Sequence, residues 1–125
     1  AQDEVFNVIP VLFGASSDGL GVMKHYGEWG AVQENPKHII GDSGDMLQNL
    51  TNGLFKAVTH RVINPPDATS DRYSMPMFTH PRDDVDLTPR PEFIARTGGE
   101  SLFPSISAGE YLRQRLIEIG LIEDD

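Results

Sequence analysis

The chain has no cysteine among its 125 residues. Disulfides, thiolate metal sites and cysteine nucleophiles are therefore excluded, and the absence fits a cytoplasmic protein. Positive charge is scarce: ten Lys and Arg stand against nineteen Asp and Glu, a formal net charge of −9. Phosphate binding needs a basic stripe and none is visible, so nucleic acid is excluded as a partner. The acidic excess serves solubility. No apolar run is long enough to span a bilayer and no signal-peptide apolar region is present, so no membrane partner is expected. What remains is ordinary for a soluble globular protein: 38% hydrophobic and 23% charged residues, enough for one domain with a modest core. The first residues, Ala1-Gln2-Asp3-Glu4, run almost directly into an apolar segment. Such an abrupt opening predicts a piece of a longer protein.

The segment Val5 to Phe13 is apolar, β-branched and aromatic on both faces, which reads as a buried strand. Pro10 removes one ladder donor and so predicts an edge or bulged position. After the Gly14 to Gly19 loop, Leu20 to Met23 and Trp29 to Val32 bracket His25-Tyr26-Gly27-Glu28 as a hairpin. His38 to Ile40 starts another short strand. Asn52-Gly53 sits between two strand-like runs, Met46 to Thr51 and Leu54 to Val62, and its preference for positive φ predicts a type I′ hairpin. A further strand is expected over Arg72 to Thr79, followed by a charged, proline-punctuated loop from Pro81 to Pro91.

The C-terminal end reads as a helix. Ser107-Ala108-Gly109-Glu110 has the form of a capping box, Leu112, Leu116 and Ile119 make one apolar stripe, and Gly120 is a stop signal. Many short strands followed by one docking helix predict a β-barrel or sandwich.

Several spaced motifs carry a resemblance over nearly the whole chain. Gly44-Asp45-Met46-Leu47-Gln48, Thr51-Asn52-Gly53 and Thr59-His60-Arg61-Val62 are followed by Arg72-Tyr73-Ser74. Further on come Ser74 to Pro81, Asp86-Leu87-Thr88-Pro89 and Ser107 to Leu112. In this order they resemble the isopenicillin-N-synthase-like iron(II)/2-oxoglutarate-dependent dioxygenases. The resemblance implies a mainly β fold: a double-stranded β-helix (jelly-roll, cupin-like) with a C-terminal α-helix, here an incomplete one forming the C-terminal portion of the oxygenase domain. It implies Fe(II) and 2-oxoglutarate as cofactors, a small-molecule substrate, His60 as an imidazole ligand to iron, and Arg72 with Ser74 as the anchor for the distal carboxylate of 2-oxoglutarate. Physical chemistry suits these roles. A facial set of three protein ligands leaves iron positions open for cosubstrate and dioxygen. A guanidinium binds a carboxylate through charge-assisted bonds, and strand residues two apart share a face.

The sequence also departs from the family pattern. None of His25, His38, His60 and His80 is followed two residues later by Asp or Glu, so the H-x-D that supplies the other two ligands is absent. An ungapped alignment on Gly14-Ala15-Ser16 places Asp3 at the histidine position and Val5 at the aspartate position, while a shifted register pairs Gln2 or Ala1 with Asp3 instead; in either register the intact motif is absent. Asp3 is the candidate carboxylate ligand beside His60, with Glu4 second; the bland reading makes both solvated terminal residues. For His60 that reading is a satisfied strand histidine, and for Arg72 and Ser74 a surface ion pair and a loop hydroxyl. His80 reads as structural or pocket wall, His25 as exposed, Asp83 to Asp86 as a solvated loop, and Trp29 and Tyr26 as core or pocket lining. Three functions stay open: an oxygenase completed by further segments or a partner, a non-catalytic β-helix module, and an assembly piece whose exposed strand edges make it a homo-oligomer.

Overall fold

The computed structural model describes residues 7–64 and 69–123, together with the backbone of Gln2–Asp3. Among the described residues, seven short strands form two antiparallel sheets. One has the order β1 (Gln2–Asp3), β6 (His60–Val62), β3 (Leu20–Met23), β4 (Trp29–Ala31); the other has β5 (Ile39–Gly41), β2 (Val11–Phe13), β7 (Met75–Met77). β6 and β7 come late in sequence yet lie beside β1, β3 and β2, and these crossovers give the expected mainly β, jelly-roll arrangement.

Register explains how two such small sheets enclose a site. Leu12 pairs with Ile40 on one side and Pro76 on the other, while Val22 pairs with His60 and Leu20 with Val62. Successive strand side chains alternate faces, so each of these sets lies on one face of its sheet, and all of them line a common pocket. The residue between His60 and Val62, Arg61, turns the other way and lays its guanidinium over the Trp29 ring at 3.8 Å. That cation–π contact holds β6 against β4 from outside and so helps fix the inward aim of His60.

Three expectations are corrected. Met46 to Thr51 is no strand: helix α1 (Asp45–Leu50) occupies it. Asn52-Gly53 does take positive φ at both residues (52° and 80°), but it ends that helix instead of turning a hairpin. Gly53 N–H donates to Gln48 O and Asn52 N–H to Asn49 O, the paired bonds of a Schellman closure with asparagine in the left-handed position. The remaining strands are shorter than expected. β6 uses only the end of Leu54 to Val62, and β7 only the middle of Arg72 to Thr79. Part of the expected Val5 to Phe13 strand falls outside the described residues, and β2 begins after Pro10, on the central strand of its sheet.

The buried cluster sits beside the sheets, where Met46 of α1 meets Leu87, Ala108 and Tyr111. Helix α3 (Ala108–Glu118) starts as its sequence predicts, with the Ser107 hydroxyl accepting from Glu110 N–H. A short helix, α2 (Pro91–Arg96), starts at the last residue of the expected Pro81 to Pro91 loop and continues through a stretch without a sequence expectation; Pro91 at its first turn has the φ a helix start needs. Buried Asn52 ties these parts together. Its amide donates to Thr97 Oγ1 and Glu100 O and accepts from Leu102 N–H. Ser107→Ala removes one helix cap and is expected to lower unfolding free energy by about 1 kcal/mol. Urea denaturation checks this, and an unchanged midpoint would contradict it.

Candidate functional site

The pocket between the two sheets has a volume of about 240 Å³. Its walls are apolar (Leu12, Leu20, Val22, Ile40, Phe78), and four polar side chains enter it: Asp42, His60, Arg72 and Ser74. Thus three residues singled out in the sequence, His60 from one sheet and Arg72 with Ser74 from the run into β7 of the other, converge on one cavity. Each is placed by the same period-two logic. His60 and Val62 face in from β6, Arg72 and Ser74 continue the inward phase of Pro76 in β7, and Asp42 continues that of Ile40 in β5.

Arg72 is held in place through its own backbone-facing edge. Nε–H donates to Ser17 O at 3.1 Å and to Asp18 O at 3.3 Å, and an Nη1 hydrogen reaches Ser74 Oγ at 3.5 Å. Gly19, at φ 135°, lets the loop pass beneath it: a Cβ there would meet Ile63 O at 2.9 Å and Arg72 Nε at 3.4 Å. The guanidinium therefore keeps its terminal nitrogens for the pocket. Such a fork beside a hydroxyl suits a carboxylate.

His60 and Asp42 form the second polar feature. His60 Nδ1 lies 4.0 Å from Asp42 Oδ2, and both side chains are mostly buried. His60 Nδ1 and Asp42 Oδ1 are sealed from solvent and have no hydrogen-bond partner. Burial raises the Asp42 carboxyl above its ordinary range, an effect that the nearby His60 and a backbone hydrogen bond only partly offset. An unsatisfied buried polar atom costs about 1–3 kcal/mol, and here two of them stand together at the wall of the cavity. An imidazole and a carboxylate are also the donor types that non-haem iron takes.

Asp3 enters through β1: the ladder pairs Asp3 with His60 and Gln2 with Arg61. Its side chain, like Glu4 and Val5, lies outside the described residues. Among the described residues no group of three or more His, Cys, Asp or Glu could hold a metal ion. His25, His38 and His80 are exposed and do not line this pocket. Tyr26 is 90% exposed, so neither the core nor the pocket reading holds for it. Asp42 was not singled out from sequence. The available signal was its position two residues after Ile40, in phase with the inner face.

A model of the 2OG-Fe(II) oxygenase superfamily matches residues 2–81. Gibberellin 2-beta-dioxygenase of Phaseolus coccineus is 35% identical over 104 residues, 83% of this chain and 30% of that protein. The crystal structure of a putative 2OG-Fe(II) oxygenase family protein from Caulobacter crescentus superposes with a TM-score of 0.85 at 33% identity, covering 95% of this chain and 40% of that one. A full-length Neurospora crassa protein, solved in complex with alpha-KG, superposes with a TM-score of 0.83 at 28% identity, covering 95% of this chain and 37% of the other. This chain spans 30% or less of the length of such curated relatives. No described helix is long and apolar enough to cross a membrane.

Proposed function

Because the chain belongs to the 2OG-Fe(II) oxygenase superfamily, we propose that its inter-sheet pocket is the iron and 2-oxoglutarate site of an oxygenase acting on a small molecule. In this reading His60 is the imidazole ligand, Asp3 a carboxylate ligand, and Arg72 with Ser74 the anchor for the distal carboxylate of 2-oxoglutarate. One observation carries it: His60, Arg72 and Ser74 line the same cavity of about 240 Å³. The backbone register that pairs Asp3 with His60 supports the choice of Asp3. With Val5 at the family's aspartate position, a further ligand comes from outside this motif, from another segment of the full protein or from a partner subunit.

The residues fit both groups. The imidazole of His60, set in the cavity wall, suits a divalent cation, and the fork of Arg72 suits a dicarboxylate. Iron(II), when bound, supplies the coupling of dioxygen reduction to oxidative decarboxylation of the keto acid. The chain's own part is positional. His60 offers a nitrogen lone pair from a strand braced by the Arg61–Trp29 stack. Arg72 neutralises and aligns the carboxylate, and Ser74 adds a hydrogen bond. Leu12, Leu20, Val22 and Ile40 keep water from the reacting centre, which strengthens each electrostatic contact there. The lack of cysteine supports a cytoplasmic setting.

An anaerobic titration of the chain with iron(II) and 2-oxoglutarate, followed by visible absorption, tests the proposal. The expected result is a weak charge-transfer band that disappears in His60→Ala. No band and no retained iron in the unaltered chain would defeat it.

A further inference from the structure

Asp42 has no role in the reading above, yet it is the pocket's described carboxylate. Its backbone is fixed, since Asp42 N–H donates to Pro10 O at 3.3 Å and extends the β5–β2 ladder by one step. Its side chain therefore enters the cavity in the phase set by Ile40. Arg72 shares the cavity but is engaged with Ser17 O, Asp18 O and Ser74. The polar group that faces Asp42 is His60, whose Nδ1 stands 4.0 Å from Oδ2. That distance exceeds a hydrogen bond by about 1 Å, and both partners have an unused valence on the buried side.

The two ring nitrogens of His60 are thus in different surroundings. Nδ1 is sealed from solvent and faces a carboxylate; Nε2 is then the nitrogen that the residue can offer to the cavity. A neutral imidazole carries its proton on one nitrogen only. A carboxylate beside Nδ1 favours the proton there and leaves the Nε2 lone pair free. We infer that Asp42 is a positioning residue that holds His60 as the Nδ1–H tautomer, with Nε2 presented to a divalent cation in the inter-sheet pocket. Closing the gap by about 1 Å would satisfy His60 Nδ1 and engage the Asp42 carboxylate in one movement. Carboxylate–histidine–metal relays of this kind fix both ring orientation and ligand basicity. The inference deepens the proposed function and rests on its assignment of His60 as a metal ligand. The tautomer itself is a property of the metal-free chain.

Long-range proton–nitrogen NMR of the ¹⁵N-labelled, metal-free chain reads it directly. The measurement is made on the neutral ring, with the His60 resonances assigned from the His60→Ala spectrum. Nδ1 should be the protonated, pyrrole-like nitrogen and Nε2 the pyridine-like one. Asp42→Ala should move the proton to Nε2 and weaken iron(II) binding roughly 10- to 100-fold. Asp42→Asn is nearly isosteric and its amide oxygen still accepts from Nδ1–H; it should keep the tautomer and most of the affinity. Three results would overturn the inference: an Nε2–H tautomer in the unaltered chain, an Nδ1–H tautomer that persists in Asp42→Ala, or Asp42→Asn losing as much iron affinity as Asp42→Ala. The last would make Asp42 a direct ligand. A correct tautomer in a chain that retains no iron would uphold the inference and count against the proposed function instead.

Discussion

Gly44→Ala is expected to destabilise the protein by about 3 kcal/mol or more, although its backbone is ordinary for any residue. At φ −94° and ψ 174° the glycine has no conformational privilege. What it supplies is space. A Cβ at this position would stand 2.0 Å from Asn7 O, 2.6 Å from its carbonyl carbon and 3.0 Å from its nitrogen. All three are backbone atoms, and they are pinned from both directions. Gly44 N–H donates to Val8 O and Met46 N–H donates to Asn7 O, each at 3.1 Å. Relief of the clash must therefore break the junction between the lead-in to β2 and the first turn of α1. Overpacking costs about 1–3 kcal/mol, and the two hydrogen bonds add about 1 kcal/mol each. For a domain of this size the melting point should fall by roughly 10 °C, as calorimetry would show. A midpoint within a degree or two of the unaltered protein would mean that the junction adjusts freely.

That junction also shows what local sequence rules miss. Met46 to Thr51 carries an apolar residue at Met46, Leu47 and Leu50, a pattern that six residues cannot resolve between strand and helix. The decision is tertiary: Met46 reaches the core with Leu87 and Tyr111, and Asn49 donates its amide to Leu87 O and Pro104 O. Those partners lie 38 and 55 residues away, beyond any window. Asn52-Gly53 illustrates the same limit. Its positive φ angles were legible in the dipeptide, but whether they close a hairpin or a helix depends on what precedes them. The serine half of the S-x-x-E cap needs no such context, because its two partners are three residues apart, and the Ser107 hydroxyl accepts from Glu110 N–H as expected; the Glu110 carboxylate instead accepts from Gln114 Nε2, one turn on.

The candidate site was legible in identity more than in geometry. Motif spacing singled out His60, Arg72 and Ser74, and the structure brings them into one cavity. What spacing does not convey is that the cavity draws an inner-face residue from nearly every strand around it. Once the strands are in register, the pairs Val22 with His60 and Leu12 with Ile40 define that face, and Asp42 follows from it by counting two residues onward. Asp42 was invisible earlier because it lies in a Gly-Asp-Ser-Gly-Asp run that reads as a turn. The backbone bond from Asp42 N–H to Pro10 O is what keeps that residue in the sheet's phase.

Arg72→Ala should weaken 2-oxoglutarate binding by about 100-fold, close to the 2.7 kcal/mol that separates those affinities and within the 2–5 kcal/mol lost when one partner of a charged pair is truncated, as a rough guide. The chain is strongly acidic, so an unpaired dicarboxylate has little general attraction to it; the guanidinium must supply the local counter-charge. Arg72→Lys separates charge from shape. Lysine keeps a cation, but its donors radiate from one nitrogen, so holding Ser17 O and Asp18 O draws that nitrogen away from the pocket, whereas the arginine holds them through Nε and keeps separate terminal nitrogens. Its ammonium is also a compact point charge without a planar fork. An intermediate affinity is therefore expected, with a loosened Gly14 to Gly19 loop as its structural correlate. Ser74→Ala removes one neutral donor and should cost about tenfold or less. Iron(II) affinity measured without cosubstrate should change by no more than about threefold in all three variants, because additivity holds for sites without shared partners. Calorimetric titration of each variant with 2-oxoglutarate, at saturating iron(II) and without oxygen, gives the comparison. If Arg72→Ala bound the keto acid as tightly as the unaltered chain, the carboxylate would have another anchor, and the polar end of this pocket would need a different ligand.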